Sequence, residues 1–477
     1  MRHKSLFHHF LSLQFVLILT NCTSLQHTST NTRNTVIEQT RYAITNVNVI
    51  PMTSDAEVLL NTTVIIENGK IISLKGAVSK DSKVINGKGK WLIPGLVDMH
   101  VHVPTDGNYN TTYPTRAAAI FTSTQDVMTP FVANGVTTVL SLNSYVGNFG
   151  QRNEITRGDV IGPRMALAAM INGGSGTGAA NTPSDGRQSV RVAKADGYEF
   201  IKVYSHLSIE TYKAIVDEAQ KQGVKVVGHI PYAFQGKIES ALFPEFMVTH
   251  AEEYAKQTKD YSDEDAQRFA KLAKENGTWL TPTLIVMSRI AEQNRTLDSI
   301  RNLQSLQYVH PLIQSKWLTA NKLYIGTSPE RVTLNEKIVG FNNLLVKAFK
   351  EAGVPIVAGT DAGSSGVILG FSLHDELELL VKAGLTPKEA LVSATRLPAT
   401  WLGIESKLGT VEPGKFADLV LLDANPLENI QHARKISGVF VNGRWVDKSH
   451  INAMLKDLSQ RNTASKDKWE WSKRNEY

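Results

Sequence analysis

Cysteine is almost missing from this chain: Cys22 stands alone among 477 residues, so no disulfide can form within it. Apolar runs long enough for a membrane are scarce too. The stretch from Phe10 to Leu19 is too short to span a bilayer comfortably. No G-x-G-x-x-G follows a first strand, which counts against a dinucleotide-binding sheet. The glycine-rich Asn172–Gly178 lacks the Lys-Ser/Thr ending of a phosphate-cradling loop and reads instead as a mobile loop. Unbalanced charge is also lacking in the body. The formal net charge is +6, but Arg2 and Lys4 lie in a leader, and from Lys448 onward seven basic residues face four acidic ones. A nearly neutral body excludes a nucleic-acid partner. What is present is ordinary globular composition, 42% hydrophobic and 20% charged, in a chain long enough to bury a large core.

The first 22 residues read as an export signal. Arg2, His3 and Lys4 precede the apolar stretch, and Cys22 follows directly in Leu19-Thr20-Asn21-Cys22. This resembles a bacterial lipobox, with Asn21 where a small residue is usual. Cys22 is therefore expected to be lipidated. The protein is then a lipoprotein of the bacterial cell envelope, anchored in the outer membrane and facing the periplasm, touching membrane only through its lipid. Residues 23–39, rich in Ser, Thr and Asn, form a flexible tether.

Short alternating segments follow, Tyr42–Ile50, Thr63–Ile66 and Lys70–Leu74, separated by turns such as Asn68-Gly69. The same texture returns at Asp418–Leu422 and Val439–Val446. One composite β-sandwich domain from residues 40–91 and 405–447 accounts for both. Between them, residues 92–404 alternate strand and helix. The strand candidates are Leu92–Val103, Val136–Leu142, Arg164–Ala169, Tyr198–Tyr204, Val224–Ile230, Phe246–His250, Trp279–Leu284 and Pro355–Asp361. About eight βα units predict an α/β fold, a (β/α)8 TIM-like barrel with its site at the C-terminal strand ends. The segment from Glu292 to Arg331 is an insertion on that face, a lid or specificity element. Residues 448–477 form a basic tail expected to pack on the body or to be disordered.

Polar residues stand at several of these strand ends. His100 and His102 end the first, where residues two apart share a face. Lys202 lies near the end of the fourth, His229 and His250 close the fifth and sixth, and Asp361 closes the last. These imidazoles with a carboxylate suit zinc or a similar divalent ion, and are enough for two. Burial beside cations would push Lys202 toward the neutral amine, which can add carbon dioxide. The resulting carbamate could bridge two metals. A surface lysine paired with Glu199, or a cation that binds substrate, are the alternatives. Tyr204 shares the face of Lys202 and is a candidate substrate donor or a packed barrel tyrosine. His374 opens a predicted helix and reads as a supporting or structural residue.

Gly95-Leu96-Val97-Asp98-Met99-His100-Val101-His102, Phe200-Ile201-Lys202-Val203-Tyr204, Gly228-His229-Ile230-Pro231, Ala358-Gly359-Thr360-Asp361-Ala362-Gly363 and the run from Gly409 to Val420 together resemble the amidohydrolase superfamily. The likeness is to the branch of imidazolonepropionase and the metal-dependent prolidase-like dipeptidases. It implies a hydrolase of carbon–nitrogen bonds in small amides such as dipeptides or N-acyl amino acids. It also implies His100, His102 and Asp361 on one ion, His229 and His250 on a second, carboxylated Lys202 between them, and Asp361 as general acid–base. The competing readings are a mononuclear imidazolonepropionase or deaminase, a lactonase or phosphotriesterase, and a surface binding protein on an inactive barrel. A deaminase would want an acidic base near the fifth-strand histidine, and Gly228-His229-Ile230-Pro231 offers none. A homo-oligomer is compatible with all of these.

Overall fold

The computed structural model describes residues 40–54, 57–105, 123–176 and 178–474. The leader, Cys22 and the tether lie outside the described residues. Strands β1 (Arg41–Val49), β2 (Leu59–Glu67), β3 (Lys70–Ser73), β4 (Lys83–Asn86) and β5 (Trp91–Pro94) come first. Next follow β6 (Leu96–Val101), β7 (Val136–Ser141), β8 (Arg164–Ile171), β9 (Phe200–Val203), β10 (Lys225–Gly228), β11 (Met247–Thr249) and β12 (Trp279–Thr281). The last three are β13 (Leu419–Leu422), β14 (Ile436–Val441) and β15 (Arg444–Asp447).

β6 to β12 form a parallel sheet of seven strands in sequential order, with helices in the connections. That is the order a barrel requires, because each right-handed βα crossover sets the next strand beside the last. Pro355–Asp361, expected as the eighth strand, is not a regular one. Val357 N–H donates to Leu280 O on β12, while Met99 and His102 N–H on the other side donate to Ala358 and Ala362 O. The segment thus bridges β12 and β6. Trp401 stacks on Phe200, the first residue of β9, at 5.1 Å and covers the far end from the site.

The expected single strand Leu92–Val103 is two. Gly95 N–H donates to Asp418 O at 2.7 Å, whereas Leu96 N–H donates to Gly135 O at 2.9 Å, so adjacent residues serve different sheets. Pro94, which has no N–H to donate, marks the break. β5 joins β1–β4 and β13–β15 in a mixed sheet of eight strands drawn from both ends of the chain. Its own core includes Ile44, Val64, Leu92, Leu419 and Phe440. β1 runs antiparallel to β2 but parallel to β4 and β5, so this unit is mixed and not purely antiparallel. The Asn442-Gly443 turn between β14 and β15 has both residues at positive φ, as a tight two-residue hairpin needs.

The insertion is largely helical, following helix Leu284–Arg295 with the helices Asp298–Arg301 and Pro311–Thr319. The tail forms the helix Lys448–Ser465, which buries Ile451, Leu458 and Asn462. The glycine-rich stretch is tied at its base, where the Asn181 side chain exchanges hydrogen bonds with the Gly174 backbone. Among the described residues no helix is long and apolar enough to cross a membrane.

Candidate functional site

The predicted metal-site residues meet at one end of the barrel because the four histidines and Lys202 stand at or near the C-terminal ends of their strands, and Asp361 ends the irregular segment between β12 and β6. His100 and His102 direct Nε2 at the same oxygen, Asp361 Oδ1, at 3.2 and 2.9 Å. The ligand atoms of these three residues all lie within 4.8 Å of one another. Lys202 Nζ is 3.3 Å from His100 Nε2. The ring of His250 lies 4.7 Å from that of His100 and 4.9 Å from that of His229, so the imidazoles form a continuous cluster. Tyr204 packs its half-buried ring 4.1 Å from His229. His374 is elsewhere: buried on its own helix, its Nε2 donates to Asn134 O at 3.1 Å. It is structural.

Backbone pins hold the set. Asp98 is fully buried and accepts from Thr360 N at 3.0 Å, Thr360 Oγ1 at 2.7 Å and His100 N at 3.2 Å. It ties the strand carrying His100 to the segment carrying Asp361. Burial lifts the Asp98 carboxyl to about 7, against the pull of those hydrogen bonds. Gly228 has φ +139, and a Cβ there would stand 2.1 Å from Val203 O. Only glycine lets β10 approach β9 closely enough to set His229 beside Lys202. His250 (φ 74), Thr283 (φ 46) and Asp361 (φ 62) are held in the left-handed region without being glycine. Such residues cost of order 1–3 kcal/mol each and cluster at functional sites.

Three partners of the histidines are invisible in the strand-end pattern. Glu253 Oε1 lies 2.9 Å from His229 Nδ1, and Ser205 Oγ lies 3.1 Å from the same nitrogen. Thr283 Oγ1 lies 2.7 Å from His250 Nδ1. With Nδ1 engaged, Nε2 is the free nitrogen of both rings, the arrangement that orients a histidine for a metal. Glu253 also corrects a local reading, since the fifth-strand histidine does have a carboxylate. It comes from one helical turn after His250, a spacing (His250-x-x-Glu253) that could have signalled it. The same carboxyl accepts from Ile230 N and pairs with Lys256 at 2.7 Å, so it is a fully engaged support and not a free base.

The electrostatics suit a cation. Burial, reinforced by Lys202, holds the His100 and His229 imidazoles well below their ordinary pKa, and burial with His229 brings His250 to about 4. All three are neutral at pH 7. Burial works to raise Asp361, but His100 and His102 beside it win and hold it well below the usual carboxylate range. Lys202 is 2% exposed, and burial lowers it to about 8 while Asp361 and Glu253 pull the other way. It forms no ion pair among the described residues, and Glu199 is taken by Arg152 instead. Neutral imidazoles and an ionised carboxylate are a donor set that fits divalent metal, and Lys202, drawn down to about 8, gives up its proton more readily than an exposed lysine.

A model of the amidohydrolase family matches residues 91–446. The chain is similar to an imidazolonepropionase of Thermoplasma volcanium, 23% identical over 401 residues, covering 82% of this chain and 92% of that protein. It is equally similar to a 5-methylthioadenosine/S-adenosylhomocysteine deaminase of Bacillus cereus, 23% identical over 454 residues, covering 84% and 92%. In fold it resembles a Xaa-Pro dipeptidase crystallised with methionine in its active site. That likeness has a TM-score of 0.64 at 23% identity and covers 86% of this chain and all of that one.

Proposed function

Since the chain belongs to the amidohydrolase family, we propose that it hydrolyses the carbon–nitrogen bond of small amides, dipeptides or N-acyl amino acids, using two divalent ions, zinc by preference. The observation that carries this reading is the convergence of His100, His102 and Asp361 beside the buried Lys202. His100, His102 and Asp361 would hold one ion, His229 and His250 the other, and Lys202 as a carbamate would lie between. Ions bound there supply a Lewis acid for the substrate carbonyl and lower the pKa of water toward 7.

The chain's own groups supply the rest. The ionised Asp361 carboxylate accepts a proton from water as its oxygen adds to the carbonyl carbon, then delivers that proton to the nitrogen as the C–N bond breaks. Without that delivery the leaving group would be an amide anion, which is far too basic to depart. Tyr204 stays protonated, because burial raises its phenol above the ordinary value, and so can donate to substrate. Lys202 adds through its neutral amine to carbon dioxide and releases a proton. Its burial without an ion pair supports the bridged pair of ions over a single one. A second reading, single-ion deamination or opening of a cyclic amide, draws on the names of the two sequence relatives.

A panel of dipeptides and N-acyl amino acids assayed on zinc-loaded protein should show amide turnover. Activity confined to lactones, esters or aminopurines would overturn the proposal. Lys202→Ala should bind fewer than two ions per chain, and two tightly held ions in that variant would remove the bridging carbamate.

A further inference from the structure

Beside His102 the barrel mouth opens into a cavity of about 150 Å³. Much of its wall comes from outside the barrel. Ile313 and Trp317 come from the insertion, Val367 and Ile368 from the loop after Asp361, and Leu458 from the C-terminal helix. Most of these are deeply buried, and they give the chamber a largely apolar wall. Lys316 lines the same chamber. Its Nζ stands 4.8 Å from the Trp471 ring centroid, and the Arg474 guanidinium stands 4.7 Å from the same ring. The Trp471 backbone is tied to the insertion, its N–H donating to Ser315 Oγ at 3.0 Å.

Among the described residues, neither Lys316, Lys322 nor Arg474 has a carboxylate within 4 Å. Asp126 also lines the chamber, but its carboxylate is bonded to Arg461. Glu470, in the same turn of chain, is paired with Lys473. An apolar chamber with a candidate metal ligand on its wall therefore also carries positive charge that no carboxylate among the described residues pairs. Partial burial, then the neighbouring Arg474 and Lys322, lower the Lys316 ammonium below its ordinary value, a cost that a bound anion would offset.

Building on the amide-hydrolase reading above, we propose that Lys316 recognises a carboxylate of the substrate while the chamber takes its apolar side chain. The substrate class is then acylated amino acids or dipeptides with an aliphatic or aromatic residue and a free carboxylate. Lys316 is a specificity residue that takes no part in the bond-breaking step. The C-terminal tail, through Trp471, acts as its positioning element.

The test is calorimetric titration of the zinc-loaded full-length protein with two probes that resist hydrolysis, N-methylsulfonyl-L-leucine and the neutral N-methylsulfonyl-L-leucinol. The wild type should bind the carboxylate probe about tenfold or more tightly than the alcohol, as a charge-assisted hydrogen bond implies. Lys316→Met should erase that preference by weakening only the carboxylate probe, and Lys316→Arg should keep most of it. Equal affinities in the wild type, no binding of either probe, or an undiminished preference in Lys316→Met would overturn the proposal. Neither probe is turned over. A protein that hydrolyses no amide would thus defeat the proposed reaction and leave the binding result to decide Lys316.

Discussion

At the scale of single residues, two neutral imidazoles of the candidate site, those of His229 and His250, have their outer nitrogens already engaged. His229 leans on Glu253 and Ser205, and His250 on Thr283. Thr283 carries a β-branched side chain at φ 46, an unfavourable conformation for its type, and its hydroxyl meets His250 there. Losing such supports typically costs 10–100-fold in metal affinity or activity. Glu253→Ala and Thr283→Val should each lower kcat/KM by about that factor with circular dichroism unchanged. Metal titration of the same variants should show weaker binding at one site only. Full activity in both would mean that the second pair of histidines is not a ligand pair. The strand-end residues were legible in the sequence because a barrel sends every such position to one mouth. Glu253 and Thr283 were not, since a support need only reach Nδ1 from outside and no strand periodicity marks it.

Among elements, the link between two helices follows from that use of Thr283. It stands at the N-cap of helix Leu284–Arg295 yet makes no capping hydrogen bond, its hydroxyl being committed to His250. The exposed amides are taken over by Glu376 of helix Phe371–Lys382, which accepts from Leu284 N at 3.0 Å and Ile285 N at 2.8 Å. Full burial raises the Glu376 carboxyl from 4.5 to about 8 despite those two bonds. A carboxyl raised on folding holds its proton in the native state where the unfolded chain has lost it. Its contribution is therefore complete below about pH 4.5 and falls away as pH rises toward 8. Thermal melts of wild type and Glu376→Gln at acidic, neutral and alkaline pH should show a gap that narrows as pH rises, because glutamine stays neutral throughout. A gap that widens with pH would show that the ionised form is the one the fold prefers. The expected alternation of strand and helix is met by helices such as Ile209–Lys221 and Asp263–Glu275 between the barrel strands. It misread Leu92–Val103, because an apolar run looks the same whether it feeds one sheet or two.

At the scale of the described residues, segments from before and after the barrel meet beside it. β5 and β13 pair antiparallel in the mixed sheet, and the helix Lys448–Ser465 then crosses back to the insertion, where the Asn462 side chain donates to Gln307 and Val309 O. Truncation after Asp447 would uncover the partners of Ile451 and Leu458, both buried. At about 1.5–3 kcal/mol for each large aliphatic side chain, the loss should be roughly 3–6 kcal/mol. Denaturant titration should show it as a lower midpoint, and KM for small amides should rise more than kcat falls. An unchanged midpoint and KM would reduce the tail to an ornament of the surface.

By itself the sequence determined the chemistry available. Histidines, a lysine and an aspartate at strand ends, with a βα alternation to gather them, leave few alternatives to a metal-type centre in a barrel, since backbone periodicity alone carries those side chains to one place. Only the tertiary structure decided what surrounds them. Which carboxylate backs His229, how the irregular Pro355–Asp361 segment bridges β12 and β6, and where Lys316 stands all depend on contacts between residues far apart in the chain. Such contacts are chosen by packing and desolvation, which no local pattern records.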